Sequence, residues 1–396
     1  MIKNDTNELL TRGVENIYPS KAYLESRIAK GEKLTIYLGI DPTGPTLHLG
    51  HAIPLLKLSE FQKAGHKIIL LMGDFTAMIG DPDKSTTRVP LTHKQVMANL
   101  KNYKKQASSI ISFSGKNAAQ IKFNSKWLGK MNFEDVLNLA SNMTVQQMLE
   151  RDMFANRIKE GKPIAIHEFM YPLMQGYDSV AMDVDGEIGG NDQTFNMLQG
   201  RNLMKTLKNK EKFVITVKLL EDSNGKKMGK TEGNMVALSD TPEEMYGKVM
   251  SWTDGMILPG FELCTTVPLH EMEIMATDMA KGVNPRDLKM RLAREVVKTF
   301  YTEKKSQEAE NHFISTFQKS EIPTDLVEVK VGKGTQLVDV LMAHKLVSSK
   351  TEFRRLVDEK AITNLDTDKK IDSHTAQAVS AVYRIGKKRF CKIKIL

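Results

Sequence analysis

Apolar and polar positions follow two rhythms along the chain. Leu34–Ile40 (LTIYLGI) is a short, β-rich apolar run. A stiff turn follows, Pro42, Thr43, Gly44 and Pro45. From about His48 the spacing becomes helical, with Leu49, Ala52, Ile53, Leu56 and Leu58 on one face and Gly65 at the end. Lys67–Gly73 (KIILLMG) is again a run of strand length. Strand, helix and strand in close succession predict a βαβ unit and a parallel sheet. The first 35 residues read as mostly helical and polar. Further on, helix starts are marked by capping pairs: Thr92 with Gln95, Thr144 with Gln147, Thr241 with Pro242 and Glu244, Asn284 with Pro285 and Asp287, and Ser349 with Glu352. No strong strand appears between Asp240 and the C-terminal part. The pattern therefore predicts a parallel α/β domain (1–234), a helical domain (235–326), a polar link (327–335) and a small α+β unit (336–396) that ends in the alternating, basic YRIGKKRFCKIKI.

Composition narrows the class. The 396 residues are 41% apolar and 27% charged, ordinary for a globular chain. No apolar run reaches the length of a membrane span, and the N-terminus lacks the apolar core of a secretion signal. Two cysteines, Cys264 and Cys391, exclude a disulfide framework and a multi-cysteine zinc site, so a reducing cytoplasm is expected. The net charge of +9 is concentrated: residues 331–396 hold fourteen Lys and Arg against seven Asp and Glu. That asymmetry points to a polyanion bound by the C-terminal part, or else to a solvated surface.

Two histidines, His48 and His51, sit three apart where the first helix begins. Three readings compete. A metal pair needs further ligands, and His-x-x-His without a nearby Glu lacks the metalloprotease pattern. One buried and one exposed helical histidine is the plainest alternative. The third is a nucleotide site, because a helix N-terminus after a parallel strand attracts phosphate and Gly50 lets a flat base approach the backbone. A second segment, GKKMGKTEGN (Gly225–Asn234), is basic and flanked by glycines but lacks Walker spacing. Together the two could grip a triphosphate from both sides.

HLGH resembles the HIGH signature, and KMGKT the KMSKS signature, of class I aminoacyl-tRNA synthetases; the two lie in the family's order, about 180 residues apart. GDFTAMIGDPDKSTTR, HEFMYPLMQGYDSVAMDVDGEIGGNDQTFN and the basic C-terminus narrow the resemblance to the bacterial tyrosyl-tRNA synthetase family, over nearly the whole chain. The resemblance implies a Rossmann-like catalytic domain, a homodimer formed through an insertion near 100–165, and an enzyme that joins tyrosine to ATP and then to tRNA-Tyr. No protein nucleophile is required. His48, His51, Thr43, Lys227, Lys230 and Thr231 are implied as the catalytic phosphate grip, with Mg2+ accompanying ATP and no resident metal. Gly229 and Thr231 stand where the commonest signature has serines. Tyr171, Gln175 and Asp81 are implied to hold the tyrosine ammonium, Asp178 and Tyr37 its phenolic hydroxyl, Thr76 the pocket wall, and Gln193 the reacting carboxylate. Gly39, Asp41, Gly50, Gly189, Gly190, Asp192 and Met228 fall to ATP, with Lys84 and Arg88 on a loop near its end. Independently of the family, Tyr171, Gln175 and Asp178 are spaced to share a helix face.

The segment from about Gln336 resembles a small RNA-binding domain first named for a ribosomal protein. Lys350, Arg354 and Arg355 on a capped helix, with Lys387, Lys388 and Arg389 on a basic strand, are expected to face RNA phosphate. Three other readings compete: a tryptophanyl-tRNA synthetase, a small-molecule nucleotidyltransferase of the same fold, and a non-enzymatic RNA-binding relative.

Overall fold

The computed structural model describes residues 8–82, 91–221, 235–318, 326, 328–367, 369–386 and 389–395. The chain forms two compact units, Met1–Phe313 and Ile314–Leu396.

The first unit is built on a six-stranded sheet: β1 (Val14–Tyr18), β2 (Thr35–Ile40), β3 (Lys67–Met72), β4 (Gln120–Phe123), β5 (Gly186–Gly190) and β6 (Phe213–Val217), in the order β1-β6-β5-β2-β3-β4. Strands β2 to β6 are mutually parallel, and β1 pairs antiparallel with β6. Every residue of β6 is buried, as a strand covered on both faces requires. The predicted βαβ unit is β2, the helix Leu49–Lys63 and β3. In that helix Leu49, Ala52, Ile53 and Leu58 are buried as the spacing predicts, and Leu56 is half-buried. From β2 the chain winds outward to β3 and β4; β5 returns to the other side of β2 and leads on to β6. The reversal between β2 and β5 opens a crevice at their carboxyl ends, where α/β sheets hold ligands.

Three expectations need correction. The first 35 residues contain β1 as well as the helix Lys21–Ala29. Being an edge strand, β1 buries no residue fully, so its sequence carries no apolar contrast. The helical segment has no separate core. Its Met245, Tyr246, Ile257, Phe261 and Val296 share one buried cluster with Ile36, Leu38 and Phe61 of the sheet domain. The region near 100–165, expected as a dimerisation insertion, is divided between two roles. Tyr103, Ala107 and Ile111 enter the core and β4 joins the main sheet. The exposed apolar side chains of this region, Phe133, Leu137, Val145, Ile158 and Ile166, lie beyond them.

The capping pairs are present as read. Thr92, Thr144 and Thr241 close reciprocal boxes with Gln95, Gln147 and Glu244. Asn284 and Ser349 cap without the reciprocal bond.

The second unit has its own core, including Leu337, Leu341, Phe353, Leu356, Tyr383 and Cys391. Its sheet runs β7 (Glu328–Val331), β11 (Arg389–Ile395), β10 (Ala381–Ile385), β8 (Ile362–Asn364) and β9 (Lys369–Lys370). Helices Leu337–Ala343 and Lys350–Asp358 complete it. The stretch read as a link, 327–335, thus supplies strand β7, parallel to β11. Only Val329 of β7 is buried, so the sequence there looks like polar connection.

Candidate active site

A cavity of about 330 Å³ occupies the crevice. The ends of β2, β3, β5 and β6 form its floor, the N-terminus of Leu49–Lys63 one wall, and the helix Ile166–Met182 another. Gly39, Asp41, Thr43, His48, Gly50 and His51 all line it on the β2 side. Thr76 and Asp81 line it after β3, and Gly189, Gly190, Asp192 and Gln193 after β5. Tyr171, Gln175 and Asp178 face it from a single helix, as their spacing predicted.

The histidines form the helix cap themselves. His48 Nδ1 accepts the Gly50 N–H at 3.1 Å, and His51 Nδ1 accepts the His48 N–H at 3.3 Å, a reciprocal box built from two imidazoles. Their ring centroids are 4.0 Å apart. With Nδ1 used as an acceptor, each neutral ring carries its proton on Nε2 and is a hydrogen-bond donor there. A side chain on Gly50 would meet the His48 ring at 2.9 Å, so the glycine is required by the cap as well as by any ligand. The turn before the helix is clamped from outside: Tyr103 donates to Gly44 O at 2.5 Å, Asn99 to Pro42 O at 2.8 Å and Gln106 to Pro45 O at 3.1 Å.

Lys227, Lys230, Thr231 and Met228, with Gly229, lie outside the described residues, as do Lys84 and Arg88. The residues on either side of 222–234 do reach the site. Leu219 and Leu220 line the cavity, and beyond the gap Val236 O accepts the Leu49 N–H at 3.0 Å while Ala237 bridges to His48.

Around Asp178, Asp41 and Asp81 the lining joins a buried polar network. Asp178, 2% exposed, accepts from Trp127 Nε1 at 2.7 Å and from Asn124 Nδ2 at 3.2 Å. Burial pushes its carboxyl well above the usual range, against those two bonds. Asp41, assigned to ATP, accepts from Tyr171 Oη at 2.8 Å and from Thr76 Oγ1 at 2.7 Å. It therefore ties Tyr171 to Thr76 across the cavity wall. Burial, then Asp41 and Asp81, raise the Tyr171 hydroxyl far above its ordinary value, keeping it a neutral donor. Asp81 accepts from Arg151 Nη2 and from Gln193 Nε2, each at 2.8 Å. Asn196 Nδ2 donates to Gln175 Oε1 and to Gln193 Oε1, both at 3.0 Å, tying the two glutamines together.

Tyr37 is fully buried, does not line the cavity, and has its hydroxyl 2.9 Å from Ser179 Oγ. Asn124, Trp127, Arg151 and Glu187 escaped the sequence reading. Asn124 follows the end of β4, so the rule that ligands gather at strand carboxyl ends could have flagged it once β4 was recognised. Glu187 is an acidic residue in the Gly-rich strand β5, also a readable oddity.

In the second unit Lys350, Arg354 and Arg355 are exposed on one helix, with Arg355 paired to Glu359 at 3.2 Å. Arg389, expected to face phosphate, instead braces the fold: its Nη1 donates to Leu346 O at 2.5 Å and to Glu352 Oε1 at 3.0 Å. Lys387 and Lys388 lie outside the described residues.

Residues 29–318 match the family of class I tRNA synthetases for tryptophan and tyrosine, and the chain belongs to it. It is 42% identical to "Tyrosine--tRNA ligase 2" of Vibrio vulnificus over 389 residues, covering 98% of this chain and 97% of that one. It is likewise 42% identical to the tyrosine–tRNA ligase of Thermotoga maritima over 398 residues, 99% and 98% of the two chains. Within the class, then, it falls with the tyrosyl-tRNA synthetases. The fold agrees with a truncated mitochondrial tyrosyl-tRNA synthetase of Aspergillus nidulans at a TM-score of 0.66 and 23% identity, over 79% of this chain and 94% of that one.

Proposed function

We propose that the chain activates L-tyrosine with Mg-ATP and passes the tyrosyl group to tRNA-Tyr. The tyrosine carboxylate attacks the α-phosphorus, the bond to pyrophosphate breaks, and a terminal ribose hydroxyl of the tRNA then displaces AMP. The observation that carries the reading is the placement of Asp178. It is a buried carboxyl lining the same cavity as His48 and His51, suited to accept a phenolic O–H. A phenylalanine there would leave it without that donor, which is costly for a buried polar group.

Catalysis is positional and electrostatic. Nε2–H donors on His48 and His51 meet the phosphates. Lys227, Lys230 and Thr231 add charge and a hydroxyl to that grip, and Asp192 takes the ribose. Among the described residues five carboxylates line the cavity: Asp41, Asp81, Asp178, Glu187 and Asp192. An unshielded triphosphate would be repelled from it, which is why the grip needs Mg2+ and lysines as well as histidines. Lys230→Ala is expected to slow adenylate formation at least about a hundredfold and to leave tyrosine affinity within about twofold, as read by stopped-flow fluorescence. Loss of tyrosine binding instead would remove Lys230 from this role.

The exposed apolar side chains of Phe133, Leu137, Val145 and Ile166 support a homodimer through this face. The exposed Lys350, Arg354 and Arg355 support tRNA binding by the second unit. A cytoplasmic site of action follows from those substrates. Among the described residues no helix is long and apolar enough to cross a membrane.

A further inference from the structure

Behind the amino-acid pocket lies a lysine that the reaction as described does not use. Lys212 precedes β6 and is 0% exposed. Its Nζ donates to the Glu187 carboxylate and, at 2.8 Å, to Ser179 Oγ, and it lies 5.6 Å from the centre of the Tyr37 ring. The space is made for it: a side chain on Gly200 would meet Nζ at 2.6 Å and Ser179 Oγ at 2.9 Å. Burying an ammonium is expensive, and here its partner is a carboxylate that itself opens on the cavity. From Glu187 the network runs forward. Gln175 Nε2 donates to Glu187 Oε1 over a long 3.4 Å, and Gln175 Oε1 is held by Asn196.

We infer that Lys212 is a positioning residue for tyrosine recognition: by pairing with Glu187 it holds that carboxylate as the acceptor that fixes the Gln175 amide. The inference rests on the assignment of Gln175 to the substrate ammonium. Oriented this way, with its N–H turned to Glu187, Gln175 presents its carbonyl oxygen to a cation. Without Lys212 an unpaired carboxylate would sit beside the pocket, free to draw in water or a cation, and the amide would lose its fixed orientation. While residue 187 remains a carboxylate, an apolar side chain at 212 cannot replace this arrangement, because both oxygens of Glu187 are in use: one on Lys212, one on Gln175.

The test begins with tyrosine binding by the unaltered protein, measured by fluorescence titration. No tyrosine binding there would overturn the proposed function itself, before any variant is made. Lys212→Met is expected to raise the tyrosine Kd at least about tenfold, with the KM for ATP and the rate of adenylate formation at saturating tyrosine within about threefold. A lysine that served only to stabilise the fold would move all of these, or none. The double variant Glu187→Gln/Lys212→Met keeps an amide oxygen as acceptor, leaves no unpaired buried charge, and folds even where the single variant does not. It is expected to return the tyrosine Kd to within about threefold of the unaltered protein. A folded Lys212→Met with unchanged tyrosine Kd, or a double variant still about tenfold weak, overturns the inference.

Discussion

A carboxyl sealed from water is costly to ionise unless donors or a ligand offset the loss of hydration. Asp178 has two donors, Trp127 and Asn124, and still titrates well above an ordinary aspartate. The sign of the pH effect follows. A raised pKa means the carboxylate takes its proton at a pH above 3.8, so the acceptor for the phenolic O–H is lost earlier on acidification than for an exposed aspartate. Tyrosine affinity, titrated without ATP to keep the histidines out of the readout, is expected to fall on acidification at a higher pH than an ordinary aspartate would set. Asp178→Ala is expected to remove that pH step and to lower the preference for tyrosine over phenylalanine by about a hundredfold or more. At this scale much of the site was legible. Tyr171, Gln175 and Asp178 could be read from helical spacing, and the histidine pair from its place after a strand and turn. Tyr37 was not, because a strand aromatic gives no sign of which side of the pocket wall its hydroxyl reaches. Lys212 was hidden too, since a lysine just before a strand reads as exposed.

Elements were easiest to read where a cap announces them. Thr92, Thr144 and Thr241 all sit at helix starts, each with its partner three residues on. Edge strands were missed for one shared reason. Strands β1 and β7 each touch the sheet along one side and bury little, so neither shows the apolar run that marks β2 and β3. In the second unit the cap of helix Lys350–Asp358 is tied to the sheet. Glu352 accepts from Ser348 N and Oγ at 2.6 Å, and from Arg389. The Ser348 hydroxyl, its N–H and the Arg389 guanidinium hold this carboxyl down at about 2 against an ordinary 4.5. The pKa is lowered on folding, so the stabilisation is present above about pH 4.5 and is lost as the pH falls toward 2. Amide exchange in this helix of the full chain is expected to accelerate over that window. Glu352→Gln is expected to flatten the dependence, and an unchanged profile in the variant would dissociate the cap from the pH effect.

For the whole molecule, the division lies at Phe313 and Ile314, ahead of the link expected at 327–335, and none falls at 234/235, because the helical segment completes the core of the sheet domain. The described residues that line the cavity proposed for activation all fall in the first unit. A chain ending at Phe313 is therefore expected to retain pyrophosphate exchange within about twofold. Charging of tRNA-Tyr should fall at least about a hundredfold, by an amount that depends on salt as phosphate contacts do. Equal charging by the truncated chain would deny the second unit its RNA role. The most direct test of the central claim is ATP–pyrophosphate exchange by the full chain with each of the twenty amino acids, in the absence of tRNA. The account predicts exchange with tyrosine alone. Exchange with tryptophan would leave the phosphate grip standing and contradict the pocket built around Asp178; a folded protein that supported exchange with no amino acid would contradict the assignment of the cavity to adenylate chemistry.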